Sequence, residues 1–449
     1  MVKGSGHRFV SVVVALQICA ACASGSSPAL PAPAPAPAPA TPKAPSPLPP
    51  TMTPKEPVRE TPVVRPPVRD SIPPKVVRRI SRRGATSPRG SLPRARTDTL
   101  APRTLADSLR VCAGGDVTLG TNLDAGWSRT AAKRMRDEFA TSDHPDSLLI
   151  PLRPLVSNAD LVLVNVESAI GEGRAPSKCG KRSTNCFAFR APTASGDALR
   201  RLTSTGSVVG NVANNHARDA GDEGRDSTVA LLTRAGVHVT GADTIATPVA
   251  TSAGDTVGVL GFYTSSDSPD ARDTAAVHRH VERASQQYPL VIVTMHLGAE
   301  GATAQRTRDK TEVFLKKIDR GNPIAFADAA VRGGAALVIG HGPHVVRAVE
   351  WRDRGALVAY SLGNLLTYGP FGLKEPMNRG VVLCATIDVT GRVSAASLAP
   401  TVQLAPGVIR ADSLARSATL VDSLGRLDFP LTGARVGPGG ELLPRTAVP

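Results

Sequence analysis

Aromatic residues make up only 3% of the 449-residue chain, with nine Phe, four Tyr and two Trp. A surface that stacks nucleic-acid bases interleaves aromatics with basic groups. The basic stretch of this chain has none, which argues against nucleic acid as a partner. Cysteine is sparse too, at six residues. No second cysteine pair accompanies Cys179 and Cys186, so zinc ligation by cysteine is the weaker reading of that pair. No synthetase-type phosphate loop occurs, so polymerisation driven by nucleotide would need another protein. The apolar run over residues 9–18 is too short to span a bilayer as a helix.

That run, preceded by Lys3, His7 and Arg8 and followed by small residues, reads as an export signal over residues 1–22. Cys19-Ala20-Ala21-Cys22 resembles an imperfect lipoprotein cleavage site, with Cys22 as the lipidated residue. Plain cleavage and release is the alternative. Residues 23–104 read as a disordered Pro/Ala/Arg-rich linker. Strict Pro-Ala alternation over residues 31–40 favours extended chain and cannot bury enough apolar area to offset its entropy. Arg78, Arg79, Arg82, Arg83, Arg89, Arg94 and Arg96 put much of the net charge of +15 into this tether. It is either a solvated spacer or a contact for anionic envelope polymers or headgroups.

The folded part begins near Leu105 and runs to about residue 405. Apolar runs alternate with helical patterns, the signature of an α/β fold. Residues 110–114, 160–164, 207–209, 236–240, 256–262, 290–295, 335–339 and 356–361 read as strands. Residues 130–138, 193–203, 222–235 and 277–287 read as helices, as does 301–333 with a break near Asn322-Pro323. Residues 380–387 and 393–398 read as an antiparallel pair. His238 lies inside a strand and reads as structural; His278 and His280 read as surface residues. Cys112 and Cys384 sit in apolar runs and read as core. In an oxidising compartment Cys179 and Cys186 could pair around their short polar loop. From 406 to 449 the chain yields no firm assignment beyond one helix allowed by Leu414, Leu420 and Leu424, and a loose end at residues 437–440.

Five apolar runs end in groups that can hold a metal: Asp116, Glu167, Asn215-His216, His296, and His341 with His344. In open α/β architecture the carboxyl ends of strands meet at one edge, where ligands bind. Scattered core histidines would not recur at that position. The mixed oxygen and imidazole set suits zinc, manganese or iron, and the count suffices for two divalent cations. A two-cation site activates water and stabilises the leaving oxygen of a phosphoryl transfer. A polar crevice without metal is the competing reading, and for residues 210–221 alone so is a helix N-terminus capped by Asn214 or Asn215.

Gly115-Asp116, Asn165-Val166-Glu167, Asn214-Asn215-His216-Ala217-Arg218-Asp219-Ala220-Gly221, His296-Leu297-Gly298-Ala299-Glu300, Gly340-His341-Gly342-Pro343-His344 and Tyr360-Ser361-Leu362-Gly363-Asn364 together resemble the ordered motifs of the CapA family, the bacterial capsule-synthesis or poly-γ-glutamate-synthesis proteins. The resemblance covers residues 110–399. It implies a calcineurin-like metallophosphatase fold, a four-layer sandwich of two β-sheets flanked by helices. It also implies a cell-envelope location, periplasmic or lipid-anchored. The implied partners are an anionic cell-surface polymer or its precursor and a membrane-bound synthesis or export complex. Carried over, Asp116, Glu167, Asn215, His296, His341 and His344 form the metal shell, with Glu167 bridging. His216 lies over the substrate as acid or charge stabiliser, Asp219 orients it, and Asn214, Glu300 and Asn364 contact substrate. The chain departs from the pattern at Leu297 and Gly301, where the family carries tryptophan and tyrosine. It departs again at Asp116-Val117-Thr118, where a typical metallophosphatase has Asp-x-His. Two functions follow: a metal-dependent hydrolase of phosphoesterase type, or a non-catalytic accessory that binds an anionic polymer. Hydrolysis of a γ-glutamyl amide is a third.

Overall fold

The computed structural model describes residues 104–174, 178–179, 186–265 and 269–445. The leader, Cys22 and the basic linker lie outside the described residues.

Period-two alternation builds the layers. In the strand Leu161–Val166 every residue is buried, yet successive side chains go to different cores. Leu161 and Leu163 join Val111, Val209, Val259, Ile292 and Ile339 in a central core. Val162, Val164 and Val166 face the other way, against Ala131, Met135, Leu199 and Leu232. The strand Val291–His296 repeats the pattern: Ile292 points to the centre, while Val291, Val293 and Met295 meet Val277, Val281, Phe326 and Ala330. A strand covered on both faces must be apolar throughout, which is why these runs were legible.

The first sheet has eight strands. In order they are Val408–Ala411, Val393–Leu404, Arg379–Ile387, Leu109–Leu119, Leu161–Val166, Ser207–Asn211 and His238–Thr240, and Asn364–Tyr368 pairs in parallel with the far half of Leu109–Leu119. The second has six, in the order Val349–Arg352, Ala356–Ala359, Leu337–His341, Val291–His296, Thr256–Tyr263 and Thr247–Ala250. The helices Ala125–Phe139, Ser195–Arg200 and Gly221–Arg234 cover the outer face of the first sheet. Thr274–Gln287 and Pro323–Arg332 cover that of the second. The result is the four-layer α/β sandwich expected from the motifs.

Three expectations need correction. Cys112 and Cys384 are buried as expected but are not free core thiols: they face each other on adjacent antiparallel strands and form a disulfide. Cys179 and Cys186 form the second disulfide. Within residues 301–333 only Pro323–Arg332 is helical, started by the Asn322 side chain accepting from the N–H groups of Ile324 and Ala325. The preceding residues form a loop with a small two-stranded ribbon, Val313–Phe314 against Ile318–Asp319. Leu315 and Lys316 turn it in the left-handed backbone region, which no helix tolerates. After 406 the allowed helix is present, but residues 437–440 are no loose end. The helix Arg416–Asp428 buries Val421 and Leu424, and the Leu398 N–H donates to the Gly440 carbonyl at 2.8 Å.

Candidate metal centre

Gly115 brings two backbones together at the start of the site. A Cβ there would lie 1.8 Å from the Gly363 carbonyl oxygen, so no larger residue lets the strand Asn364–Tyr368 approach. The Asp116 N–H donates to that carbonyl at 3.1 Å and leaves the carboxylate buried at the sheet's end. Asn165 and Asn211 occupy matching positions on the next two strands. Asn165 is the hub: its Nδ2 donates to Asp116 Oδ1 at 2.8 Å and lies 3.1 Å from His296 Nδ1. Its Oδ1 accepts from Asn211 at 2.9 Å and from Asn214 at 3.1 Å. One buried amide therefore ties the first sheet to a histidine from the second.

The second sheet supplies the imidazoles. His296 and His341 end neighbouring parallel strands in direct register. Gly342, at φ 106°, starts a turn that His344 continues at φ 59°, a strained value for a non-glycine residue. The turn folds His344 back over Asp116, Nδ1 to Oδ2, at 3.2 Å. Donor atoms of Asp116, Glu167 and His296 all lie within 4.8 Å of one another. His341 Nδ1 is 3.9 Å from Asp116 Oδ1, and Glu167 Oε1 is 3.8 Å from His296 and 3.7 Å from His344. Asp116, Glu167, His296, His341 and His344 therefore converge, and they do so where the strand ends of two sheets packed face to face across the central core come together.

The fit to a cation can be judged from the donors themselves. Glu167 Oε1, His296 Nε2, both His341 ring nitrogens and Asn215 Oδ1 are buried without a hydrogen-bond partner. Buried polar atoms are normally paired, so this many orphans together are the signature of a site built for cations. The charges agree. Burial alone would raise the Asp116 carboxyl, yet the His344 hydrogen bond and the surrounding imidazoles hold it well below the usual range. Burial and the Asp116 charge push Glu167 well up. Burial pushes His296 well down, helped by Arg320, and takes His341 to about 4. Burial works against a charge on His344 as well, but Glu167 and Asp116 outweigh it and raise it to about 10. His344 thus stands between the Asp116 and Glu167 side chains, where positive charge is favoured. Thr118, at the place of the missing histidine, donates its hydroxyl to the Glu167 carbonyl at 3.3 Å.

Beside the cluster lies a cavity of 560 Å³ lined by Asn215, His216, Glu300 and His344 among others. His216 Nδ1 donates to Asp219 Oδ2 at 2.6 Å. Asp219 is held by Lys178 at 2.6 Å and by the Phe189 N–H at 2.7 Å. Burial lowers the His216 imidazole, so it rests neutral. Two residues expected at the substrate are occupied elsewhere. Asn214 gives its amide to Asn165 and Val166 and accepts from the His216 N–H, so it shapes the loop. Asn364 Oδ1 meets His344 Nδ1 at 2.9 Å, and its Nδ2 donates to the Met377 carbonyl at 2.8 Å, so it aims His344. Glu300 does reach the cavity, 3.0 Å from Arg320. Arg320 itself is buried, donates to the Gly298 carbonyl at 3.1 Å and lies over the Tyr263 ring. Lys178 stands at no strand end, and Arg320 follows the two-residue ribbon strand Ile318–Asp319, too short to show as an apolar run, so the sequence pattern carried no sign of them. Asn165 did, at two residues from Glu167.

Comparison with known proteins decides the family. Residues 110–368 match the family described as bacterial capsule synthesis protein PGA_cap. The chain belongs to this capsule synthesis family. The match holds every residue of the cluster, and it ties the chain to capsule synthesis. Among solved structures, a Staphylococcus aureus protein assigned as a 5′-nucleotidase and crystallised with α-ketoglutarate is similar at 13% identity and a TM-score of 0.40, over 70% of this chain and 58% of that one. A 5′-nucleotidase precursor from Thermus thermophilus is similar at 13% identity and a TM-score of 0.32, over 72% and 59%. TT1561 of the same organism is similar at 12% identity and a TM-score of 0.31, over 63% and 99%. No curated protein matches. Among the described residues, no helix is long and apolar enough to cross a membrane.

Proposed function

We propose that the protein is an exported, metal-dependent hydrolase of phosphoester bonds, working at the cell envelope in the metabolism of an anionic surface polymer such as poly-γ-glutamate or its precursor. The observation that carries this reading is the set of orphaned donors on Glu167, His296 and His341, gathered around Asp116 beside a cavity lined by His216 and by Asn215, whose Oδ1 is also unpartnered. Asp116, Glu167, Asn215, His296, His341 and His344 would hold one or two divalent ions; manganese, zinc and iron suit the donor set. Such ions supply Lewis acidity and a lowered pKa for water. The rest belongs to the chain. With Nδ1 committed to Asp219, His216 has Nε2 left for a substrate proton. Asp219 fixes that tautomer, and Lys178 and Arg320, paired with Asp219 and Glu300, line the cavity as N–H donors for an anionic ester. Two disulfides favour an oxidising, exported location.

Measure metal content of the purified full-length chain, then turnover of a generic phosphodiester with and without manganese. Metal-dependent turnover, lost by about 100-fold or more in His216→Ala and about tenfold or more in Asp219→Asn with metal retained, supports hydrolysis. One observation favours the accessory reading, in which the crevice only binds polymer: Thr118 removes a ligand and uses its hydroxyl in the backbone. A metal-free protein that binds polyglutamate and turns over no ester would establish that role instead.

A further inference from the structure

The cavity beside the metal centre is far more apolar than a purely anionic polymer needs. Its lining includes Phe187, Phe314, Leu315, Ile318, Phe371 and Met377. The chain has only nine phenylalanines, and three of them line this one cavity. They stand close to the chemistry. Phe371 packs against His344 at 5.1 Å, and Phe187 packs against Phe371 at 5.8 Å. A second wall is the ribbon Val313–Phe314 against Ile318–Asp319. Its apolar side chains run on beyond the cavity: Val313 is 51% exposed, Leu315 47% and Ile318 40%. Lys316 and Lys317 sit exposed in the same turn. An exposed apolar tip next to lysines, at the mouth of a site, marks a surface for an amphipathic ligand.

We infer that the substrate is an amphipathic phosphate ester, its anionic head at the metal centre and a long aliphatic chain lying between the phenylalanine wall and the ribbon. This rests on the hydrolase reading for its chemistry and on the cavity for its specificity. Charge and apolarity are divided as such a ligand requires. Lys178 and Arg320 offer N–H donors to the head, while Leu315, Ile318 and Met377 offer flexible aliphatic contact to a chain. A flat nucleobase fits less well. Phe187 and Phe371 meet edge to face and leave no slot between them, and the Tyr263 ring is already covered by Arg320. Hydrolysis would break the P–O bond to the chain. Water supplies the new oxygen on phosphorus and the proton of the released lipid alcohol.

The test uses the full-length protein with manganese and calorimetric titration of three probes below their micellar concentrations: methylphosphonate, dodecylphosphonate and adenosine monophosphate. Each buried methylene strengthens binding by about fourfold, so four give on the order of 100-fold for dodecyl over methyl. The Leu315→Asp/Ile318→Asp variant changes two exposed positions and should bring that ratio below about tenfold, with unchanged melting temperature. Equal affinity for the two phosphonates, failure of both to bind, or tighter binding of adenosine monophosphate than of dodecylphosphonate overturns the proposal. If the variant misfolds, the wild-type chain-length ratio decides alone. Binding is read without turnover, so a protein that prefers dodecylphosphonate yet hydrolyses no ester sinks the hydrolase reading and leaves the ligand class standing.

Discussion

Arg347→Met should unsettle the loop that delivers Glu300 and Arg320. Arg347 is 1% exposed at its side chain and meets both carboxylate oxygens of Glu312, at 2.8 and 2.7 Å. It also donates to the carbonyls of Ala304 at 2.7 Å and Ala299 at 3.3 Å, while Glu312 accepts from the Ala299 N–H at 2.7 Å. The pair therefore clamps both ends of residues 299–312. Losing the guanidinium leaves a buried carboxylate uncompensated, which costs about 3–5 kcal/mol. Replacing both partners, Arg347→Met with Glu312→Leu, removes that stranded charge. It still orphans backbone groups at Ala299 and Ala304, a loss of about 1–3 kcal/mol. The double variant should thus be the more stable of the two, by about 2 kcal/mol at the centre of these ranges. Urea unfolding followed by fluorescence measures both, and limited proteolysis of the native protein reports whether the loop opens by itself. The reasoning is refuted if the single variant loses less than about 1 kcal/mol with its loop still protected, or if the double variant is the weaker of the two.

The Cys112–Cys384 bridge spans a sequence separation of 272, so removing it frees a long loop in the unfolded chain. Cys112→Ala/Cys384→Ala should lose about 2–5 kcal/mol in the same unfolding assay, and an unchanged midpoint would contradict this. Gly115→Ala would drive a methyl group into the Gly363 carbonyl and displace Asp116; metal analysis should show reduced stoichiometry, and full occupancy with wild-type stability would count against the close approach. His341, at about 4, takes up its proton later than the unfolded chain does, so chelator-treated protein should lose stability as pH falls from about 7 toward 4. Calorimetry across that window should show a shallower loss in His341→Gln; equal slopes would exclude His341 as the cause.

Much of the architecture was legible because burial on both faces forces continuous apolar runs, as at residues 161–164 and 291–295. Two other strands were harder. Thr247–Ala250 alternates across an edge, and Asn364–Tyr368 follows a motif already read as a strand's end. The loop over residues 301–322 misled because its charged residues resemble an exposed helix face, and only the left-handed turn at Leu315 and Lys316 reveals otherwise. Cys112 and Cys384 gave no sign of pairing, because register across two strands is not written in either one.

Local sequence by itself determined where polar groups end apolar runs, and hence Asp116, Glu167, His216, His296, His341 and His344 as the candidates. That information is local: strand propensity, a glycine turn and a polar residue lie within a few positions of one another. Tertiary structure alone decided which of them share space. It assigned Asn214 and Asn364 to holding the loop and His344, and brought Lys178, Arg320 and the phenylalanine wall to the cavity. Such partners are chosen by the packing of two sheets across one core, and that packing sums contacts far apart in the chain.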